Sequence, residues 1–321
     1  MDRDMKMGKA NLEIFSETLQ EMAETNRDLL VVTSDSRGSG KLVPFAQRFP
    51  NQLVEVGIAE QNLVGISAGL ASTGKQVFAV SPACFLTARS LEQIKNDVTY
   101  SDNPVTVVGI SAGVSYGALG STHHSLHDYA VLRAIHNIVV CAPADNFETQ
   151  EAVRQSAAAD HPVYLRFGKR PMPLLREDIP FVFGKGRVLQ EGEDIAIFAT
   201  GETVHPALDA AALLSESLDV KAMVISMHTV KPLDTELLAK VAAAGTPILT
   251  VEEHSVNGGM GEACASFLLQ HGFHSRFRIM GIPDEYTVTG SQQEILDHYG
   301  INGQGIAENA KQLLGISGEN K

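Results

Sequence analysis

A single acidic residue, Glu60, stands where a predicted strand ends and a helix rich in small residues begins. The segment 54–74 reads VEVGIAEQNLVGISAGLASTG, and Gly57 allows a sharp turn before the helix. Functional side chains of α/β proteins commonly lie at such junctions. Glu60 can therefore serve chemistry, or it can merely complement the helix dipole, which is worth about 0.3–1 kcal/mol. The small residues that would let another backbone approach one face of this helix are Gly65, Ala68, Gly69 and Ser72.

Histidines and an aspartate form the densest cluster of possible metal ligands, within GALGSTHHSLHDYAVLRAIHN at 117–137. His123 and His127 have the i, i+4 spacing that a helix needs to chelate a metal ion, so zinc is an alternative. The stretch before them has the composition of a loop, and no further ligand group is evident elsewhere in the chain. We therefore expect no metal site in this chain, and we expect His127 and Asp128 to be surface or packing residues.

Two charged side chains end predicted strands in the first half of the chain. Arg166 closes the strand VYLRFG, where a guanidinium can make the bidentate contact that phosphate favours, or a strand-end salt bridge. Asp35 closes the first strand, in VVTSDSRGSG, and initiation of a turn is the plain alternative to a functional role. The residues alone leave both pairs of alternatives open.

Short, apolar, β-rich runs alternate with helical patterns in the first half of the chain. Such alternation predicts a parallel sheet with helices on both faces. The run VTVVGI lacks strict in-out alternation, as expected for a strand that is buried on both faces. The predicted strands are 28–35, 76–80, 104–110, 137–143 and 162–168, and the predicted helices are 9–25, 59–73, 85–99 and 146–159.

Prolines and glycines between 168 and 186 interrupt this pattern, so we place a linker at 173–186. A second α/β series follows the linker. The predicted fold class is therefore α/β, with two doubly wound domains at 1–172 and 187–321. The second domain has predicted strands at 194–201, 220–228, 246–253 and 277–282, and predicted helices near 203–217, 234–244 and 260–271.

Composition argues against several classes of function. The chain has 321 residues, 44% of them hydrophobic, a mean hydropathy of 0.00 and a formal net charge of −13. We therefore expect a globular protein that binds neither nucleic acid nor an anionic membrane. The first residues lack the apolar core of a secretory signal, and no apolar run approaches the ~18 residues that span a bilayer, so we expect a cytoplasmic location. Widely spaced cysteines predict small buried hydrophobes and no disulfide framework: Cys84, Cys141 and Cys264.

Six segments carry a resemblance to a known family of enzymes. They are GIAEQN at 57–62, CFLTARSLEQIKND at 84–97, the histidine segment at 117–137, VVCAPADNFET at 139–149, PVYLRFGKR at 162–170 and VEEHSVNGGMGEA at 251–263. Together and in this order, they resemble thiamine-diphosphate enzymes of the transketolase and deoxyxylulose-phosphate synthase group. The resemblance implies a parallel-sheet pyrimidine-binding domain followed by a transketolase C-terminal-like α/β domain.

The resemblance also implies roles at the cofactor. In this family a protein carboxyl bonds N1′ of the aminopyrimidine of thiamine diphosphate and favours the tautomer that takes the C2 proton of the thiazolium. That catalytic role maps onto Glu60. Phe85 matches the aromatic that stacks on the pyrimidine, with an ordinary core Phe as the alternative. Asp35 corresponds to an acid near the thiazolium, and His123 aligns with a histidine close to the aminopyrimidine and the substrate hydroxyls.

Positions that contact substrate in this family are only partly retained. Arg166 aligns with an arginine that grips the substrate phosphate. Ser111 replaces a histidine, Gly8 replaces an arginine and Leu119 stands where transketolases often have an Asp. Ser111 remains a candidate substrate-binding residue, but these departures put a standard pentulose phosphate donor in doubt. His124 stands where relatives often carry Gln, and the sequence assigns it no role.

The Gly-Asp-Gly motif that holds the divalent metal and the cofactor diphosphate in this family does not occur in the sequence. In full-length transketolases that motif belongs to a domain preceding the region that this chain resembles. The resemblance therefore implies the carboxyl-terminal subunit of a split transketolase, with Mg²⁺ held mainly by an N-terminal diphosphate-binding partner in an α2β2 assembly. The implied reaction moves a two-carbon ketol unit from a ketose, phosphorylated or free, to an aldose.

Other interpretations of the family resemblance stay open. One is a deoxyxylulose-phosphate synthase fragment, and another is the β-type subunit of a 2-oxoacid dehydrogenase. The histidine segment at 117–137 favours the transketolase and synthase branches. A non-enzymatic subunit that only binds or regulates another protein is a weaker hypothesis, because Glu60, Phe85, His123 and Arg166 occur together.

Overall fold

A computed structural model describes residues 6–316, so the first five and last five residues of the two predicted domains lie outside it. The strands are β1 (Met7–Ala10), β2 (Leu29–Thr33), β3 (Leu53–Glu55), β4 (Gln76–Pro82), β5 (Val105–Ile110), β6 (Val139–Cys141), β7 (Val163–Arg166), β8 (Pro171–Pro173), β9 (Arg187–Gln190), β10 (Ile195–Ala199), β11 (Ala222–Ser226), β12 (Thr229–Lys231), β13 (Ile248–Ser255) and β14 (Phe277–Ile282). The helices are α1 (Asn11–Ala23), α2 (Val43–Arg48), α3 (Glu60–Ala71), α4 (Ala83–Arg89), α5 (Leu91–Gln93), α6 (Asp128–Arg133), α7 (Asn146–Ala158), α8 (Val204–Leu218), α9 (Thr235–Ala243), α10 (Met260–Gln270), α11 (Gln292–His298) and α12 (Gly303–Leu314). Short 3₁₀ turns lie at Pro50–Gln52, Gly117–Leu119 and Gly201–Thr203, and a π-helical segment lies at Ile94–Tyr100.

The first sheet has seven strands in the order β12-β6-β7-β5-β4-β2-β3. All neighbours in it are parallel except β12, which joins β6 in the antiparallel sense. Every residue of β5 is buried, as its continuous apolar run predicts. Because the strands are parallel, their carboxyl ends lie along one edge of the sheet, where functional groups of such folds gather.

The second sheet has five strands in the order β14-β13-β10-β11-β9. Its neighbours are parallel apart from β9, an antiparallel edge strand. Together the two sheets confirm the predicted α/β class with parallel-rich sheets. The central strands β10 and β13 are almost wholly buried, as strands covered on both faces are expected to be.

Two short strands tie distant parts of the chain together, and neither pairing was predicted from the sequence. β12 belongs to the second half of the chain but completes the first sheet, with Thr229 opposite Cys141. β1 pairs with β8, with Met7 opposite Pro173. Strands of three or four residues carry too little hydrophobic pattern to be recognised in a sequence. The predicted boundaries at 172 and 187 stay a prediction.

The predicted helix 85–99 is wrong as a single continuous helix. In the structure α4 ends at Arg89, and Ser90 donates its hydroxyl to the carbonyl of Leu86 at 2.6 Å. A short α-helical turn and then the π-helical segment follow. Ser side chains that bond back to the preceding turn compete with the regular helix and bend it. The interruption leaves Arg89 at the end of α4, beside the site described below.

Apolar residues of the two halves share one continuous core. One cluster packs α1 and α7 against the first sheet. Another packs α3 against that sheet and continues into the second half through side chains such as Phe198 and Met260. The cysteines are free and buried, as predicted. No helix within residues 6–316 is long and apolar enough to cross a membrane.

Candidate active site

Glu60 is the first residue of α3, and its side chain is only 5% exposed. Gly57, with a φ of +73°, makes the turn that leads from β3 into the helix. Glu55 fixes the geometry of this turn, because its Oε1 accepts hydrogen bonds from the backbone N–H of Gly57 at 3.0 Å and of Asp35 at 2.7 Å. The local sequence therefore places a single carboxylate, shielded from water, at the carboxyl edge of the first sheet.

Phe85 lies beside this carboxylate on α4 and is half-buried. Arg89 follows four residues later and is thus on the same face of the helix. Its Nη1 donates to Glu60 Oε1 at 2.8 Å, and its Cζ lies 4.3 Å from the centroid of the Phe85 ring. Arg89 connects the two residues that the family resemblance assigns to the pyrimidine, and it was not predicted from the sequence.

His123 completes the group from a different part of the chain. Its ring meets the Phe85 ring edge-on, with centroids 5.3 Å apart, and the Tyr116 ring at 5.6 Å. Its Nδ1 is 3.0 Å from the hydroxyl of Thr122. The structure therefore brings Glu60, Phe85 and His123 together, although they are spread over more than sixty positions of the sequence.

The neighbouring histidines do not join this group. His124 is buried and bridges Gly117 O (Nε2, 3.0 Å) and the Thr287 hydroxyl (Nδ1, 2.7 Å), and burial lowers its pKa. His127 Nε2 lies 3.2 Å from the Thr87 hydroxyl. Because α6 begins only at Asp128, His123 and His127 do not share a helix. Between residues 6 and 316, no group of three or more His, Cys, Asp or Glu side chains could hold a metal ion.

Arg166 is engaged in a buried ion pair. Its Nε donates to Asp128 Oδ2 at 2.8 Å, and its Nη2 donates to the carbonyls of Ser125 and Glu253. Burial alone would raise the pKa of Asp128, but the charges of Arg166 and His254 hold that pKa below its ordinary value. Of the two alternatives for Arg166, this geometry favours the salt bridge. A contact of Arg166 with substrate phosphate stays a prediction.

Asp35 and Ser111 both adopt left-handed backbone at strand ends, with φ of 52° and 54°. Asp35 is exposed in the turn after β2, which favours the turn alternative. Ser111 follows β5 and is fully buried, and its Oγ has no hydrogen-bond partner among the described residues. Their predicted contacts with cofactor and substrate remain predictions.

A lysine that was not singled out in the sequence lies at the same edge of the sheet. Lys169 is half-buried, and its Nζ is 3.9 Å from the centroid of the Tyr116 ring. Burial lowers the pKa of Lys169, and the nearby charge of Lys41 lowers it further. Its position just after β7 was the available signal, the same one that drew attention to Arg166.

A buried acidic pair, Glu202 and Glu253, lies between the two halves of the chain. Glu253 Oε1 accepts hydrogen bonds from the Val114 backbone at 2.8 Å and from Gln292 Nε2 at 3.0 Å. Gln292 Nε2 also donates to Glu202 Oε2 at 3.0 Å. Burial and repulsion by Glu202 raise the pKa of Glu253 to about 7. These contacts hold the loop after β5 against the second half of the chain.

The arrangement suits the aminopyrimidine of thiamine diphosphate. That ring needs a water-shielded carboxyl at its N1′ and a flat apolar wall, and Glu60 with Phe85 supplies both. A metal-bound diphosphate needs a set of oxygen ligands that residues 6–316 do not contain. The described residues therefore fit one end of the cofactor and not the other.

Comparison with protein families places this site in a known context. Residues 8–173 match the transketolase pyrimidine-binding domain, and residues 184–306 match the transketolase C-terminal domain. The chain belongs to the transketolase family. This confirms the resemblance deduced from the six sequence segments and the order of the two transketolase domains.

Individual relatives show which part of a transketolase the chain corresponds to. One of the two subunits of apulose-4-phosphate transketolase from Phocaeicola vulgatus is 46% identical over 302 residues, which are 94% of this chain and 96% of that protein. A solved structure described as "Split gene transketolase, inactive beta4 tetramer" superposes with a TM-score of 0.85 at 34% identity, covering 96% of this chain and 99% of that chain. The 1-deoxy-D-xylulose-5-phosphate synthase of Magnetococcus marinus is 37% identical over 96% of this chain, but the match spans only 50% of the synthase. The chain is a C-terminal subunit of the transketolase family, of the transferase type.

Proposed function

We propose that this transketolase subunit works with thiamine diphosphate to move a two-carbon ketol unit from a phosphorylated ketose to an aldose. The observation that carries the proposal is the placement of the buried Glu60 carboxylate against Phe85 and His123. A buried carboxylate without a catalytic use is costly, and residues placed at this edge of a parallel sheet commonly serve chemistry.

Each residue of the group has a separate task in this proposal. When bound, thiamine diphosphate supplies a nucleophilic carbon at C2 of its thiazolium. Glu60 holds a proton at N1′ of the aminopyrimidine, where burial keeps water from competing for the carboxylate. Phe85 supports the flat ring, and His123, whose ring meets that of Phe85, binds the hydroxyls of the sugar.

A partner subunit supplies the diphosphate and Mg²⁺ site in this proposal, in an α2β2 assembly. Three observations support it. The described residues hold no metal-ligand group. The β-only tetramer of the split-gene relative is described as inactive. Surface next to Glu60 is free to pack, because Ile58 is 73% exposed, and side chains built at Gly65 and Gly69 would meet no described atom outside their own helix within 4 Å.

The substrate in this proposal carries a phosphate that Lys169 contacts. The chain is acidic overall, so an anionic substrate needs a local cation. Arg166 is engaged with Asp128, whereas Lys169 lies beside Tyr116, a neighbour of His123. Because the relative from Phocaeicola vulgatus belongs to an apulose-4-phosphate transketolase, apulose 4-phosphate is the first donor to test.

The test is to purify the chain with a candidate diphosphate-domain subunit and titrate thiamine diphosphate with Mg²⁺ into each protein alone and into the pair. Tight binding by the pair only, followed by ketol transfer between phosphorylated ketoses and aldoses, is the expected result. Tight binding by this chain alone contradicts the shared site. The synthase alternative rests on the match to the synthase from Magnetococcus marinus, and release of carbon dioxide from pyruvate would favour it.

A further inference from the structure

Arg89 makes two contacts that no step of the proposed function uses. Its guanidinium donates from Nη1 to Glu60 Oε1 at 2.8 Å. The same planar group lies over the Phe85 ring, with Cζ 4.3 Å from the ring centroid. A planar, cationic group that bonds a carboxylate and stacks on an aromatic face is well suited to both contacts.

These two contacts are the ones that an aminopyrimidine ring needs from this chain. The ring is flat, bonds the Glu60 carboxyl through N1′ and rests on Phe85. Because the Glu60 side chain is almost fully buried, few directions of approach to its carboxylate remain. A second planar group that reaches Glu60 Oε1 across the face of Phe85 therefore competes with the guanidinium of Arg89 for the same space.

The position of Arg89 allows its side chain to leave. Its side chain is 49% exposed, and it stands at the last residue of α4, where Ser90 interrupts the helix. Within residues 6–316, Glu60 is the one carboxylate with which Arg89 forms an ion pair. A half-exposed side chain with one ion pair can turn into solvent without disturbing the core.

We infer that the guanidinium of Arg89 is a built-in substitute for the aminopyrimidine, which holds Glu60 and covers Phe85 until cofactor displaces it. This inference rests on the proposed function. Arg89 is then a gating residue that weakens cofactor binding. It protects a buried carboxylate that would otherwise lack a charged partner.

The experiment measures the dissociation constant of thiamine diphosphate, with Mg²⁺, for the complex of this chain with its diphosphate-domain subunit. Calorimetry is suitable because the chain has no tryptophan to report by fluorescence. Arg89→Ala removes both contacts and is expected to tighten binding roughly tenfold, since a half-exposed ion pair and a cation–π contact no longer compete. Arg89→Lys keeps the charge but loses the planar stack, so binding is expected to tighten less.

The chain offers a closely matched control in Arg48. Arg48 also pairs with a glutamate, Glu24, and its Cζ lies 5.1 Å from the centroid of the Phe49 ring. Its side chain is 52% exposed, so its surroundings resemble those of Arg89. Arg48→Ala is expected to leave the dissociation constant unchanged. Methylguanidinium at millimolar concentration is expected to weaken cofactor binding to the Arg89→Ala complex but not to the wild-type complex.

The outcomes separate the inference from the proposed function. If the wild-type pair binds no thiamine diphosphate, the proposed function and this inference both fail. If the wild-type pair binds cofactor but Arg89→Ala binds it equally or more weakly, only the inference is overturned, and Arg89 supports the cofactor instead. Thermal unfolding of each variant chain checks that it is folded, and Arg89→Lys provides the comparison if the alanine variant is not.

Discussion

Arg166 donates to Asp128 across 2.8 Å in an ion pair that is closed to solvent. The hydroxyl of Tyr164 donates to the same carboxylate oxygen at 2.8 Å. Arg166 also reaches the carbonyl of Glu253 in β13, so the pair joins the first sheet to the second half of the chain. Stability of the junction between the two sheets therefore depends on this pair.

Breaking this pair from one side is expected to destabilise the chain strongly. Asp128→Asn leaves the buried Arg166 charge without its partner, and losses of about 3–5 kcal/mol in the free energy of unfolding are typical of such changes. Denaturant unfolding measures the loss. The control is Asp178→Asn in the exposed pair between Arg176 and Asp178, which is expected to change nothing measurable. An equally small change in both variants would contradict the structural role of Asp128.

Glu60→Gln is expected to abolish most of the turnover of the reconstituted complex while leaving the fold intact. Proton transfer by a positioned carboxyl contributes roughly 100-fold or more to rate. The measurement compares kcat for ketol transfer with the melting temperature of the variant. Glu236→Gln is a suitable control because Glu236 is another first-turn glutamate, in α9, where it forms an exposed pair with Lys185. Near-normal turnover of Glu60→Gln would remove the catalytic assignment.

Glu253 is expected to make stability depend on pH. Its pKa is about 7 in the folded chain, above the ordinary value of 4.5, so the folded state binds more protons between these values. The free energy of unfolding contributed by this group therefore falls as pH rises from about 4.5 to 7. Glu253→Gln keeps an oxygen for Val114 and Gln292 and removes the titration.

The measurement is the difference in unfolding free energy between wild type and Glu253→Gln at about pH 5 and about pH 8, on either side of most of this titration. We expect this difference to shift in favour of the variant at the higher pH, by on the order of 1–3 kcal/mol. Taking the difference cancels His254, whose pKa burial lowers to about 4 and whose contribution has the opposite sign. A difference that is independent of pH would show that Glu253 does not titrate in this range.

Lys169→Gln is expected to raise KM for a phosphorylated ketose roughly tenfold or more, because a hydrogen bond to a charged group is lost. KM for the same sugar without phosphate is expected to stay unchanged, which separates phosphate binding from a structural role. Lys185→Gln, at an exposed lysine paired with Glu236, is the control. If Lys169→Gln changes both KM values alike, Lys169 does not contact the phosphate.

Local sequence pattern anticipated much of the scaffold. Predicted strands such as 28–35 and 104–110 are present as β2 and β5, with their ends trimmed by one or two residues. Hydrophobic periodicity is a property of neighbouring residues, so it can be recognised before the fold is known. The same pattern was too weak for α11 and α12, whose residues alternate with many polar and glycine positions.

The gathering of Glu60, Phe85 and His123 could also be anticipated in part. Glu60 and Phe85 follow parallel strands whose carboxyl ends must meet at one edge of the sheet, so their proximity follows from topology. The family resemblance added His123, which no periodicity would have placed there. Arg89 was within reach of the sequence as well, since it lies one helical turn after Phe85.

The sequence by itself determined the two α/β series, the parallel sheets and the strand ends that carry Glu60 and Phe85, because local periodicity and the chain order of strands and helices encode them. Only the tertiary structure decided that Arg166 faces Asp128, that β12 completes the first sheet and that Arg89 reaches both Glu60 and Phe85. Such choices depend on which distant side chains meet when the core closes. A buried charge takes the partner that packing brings to it, and nothing in its own neighbourhood along the chain specifies that partner.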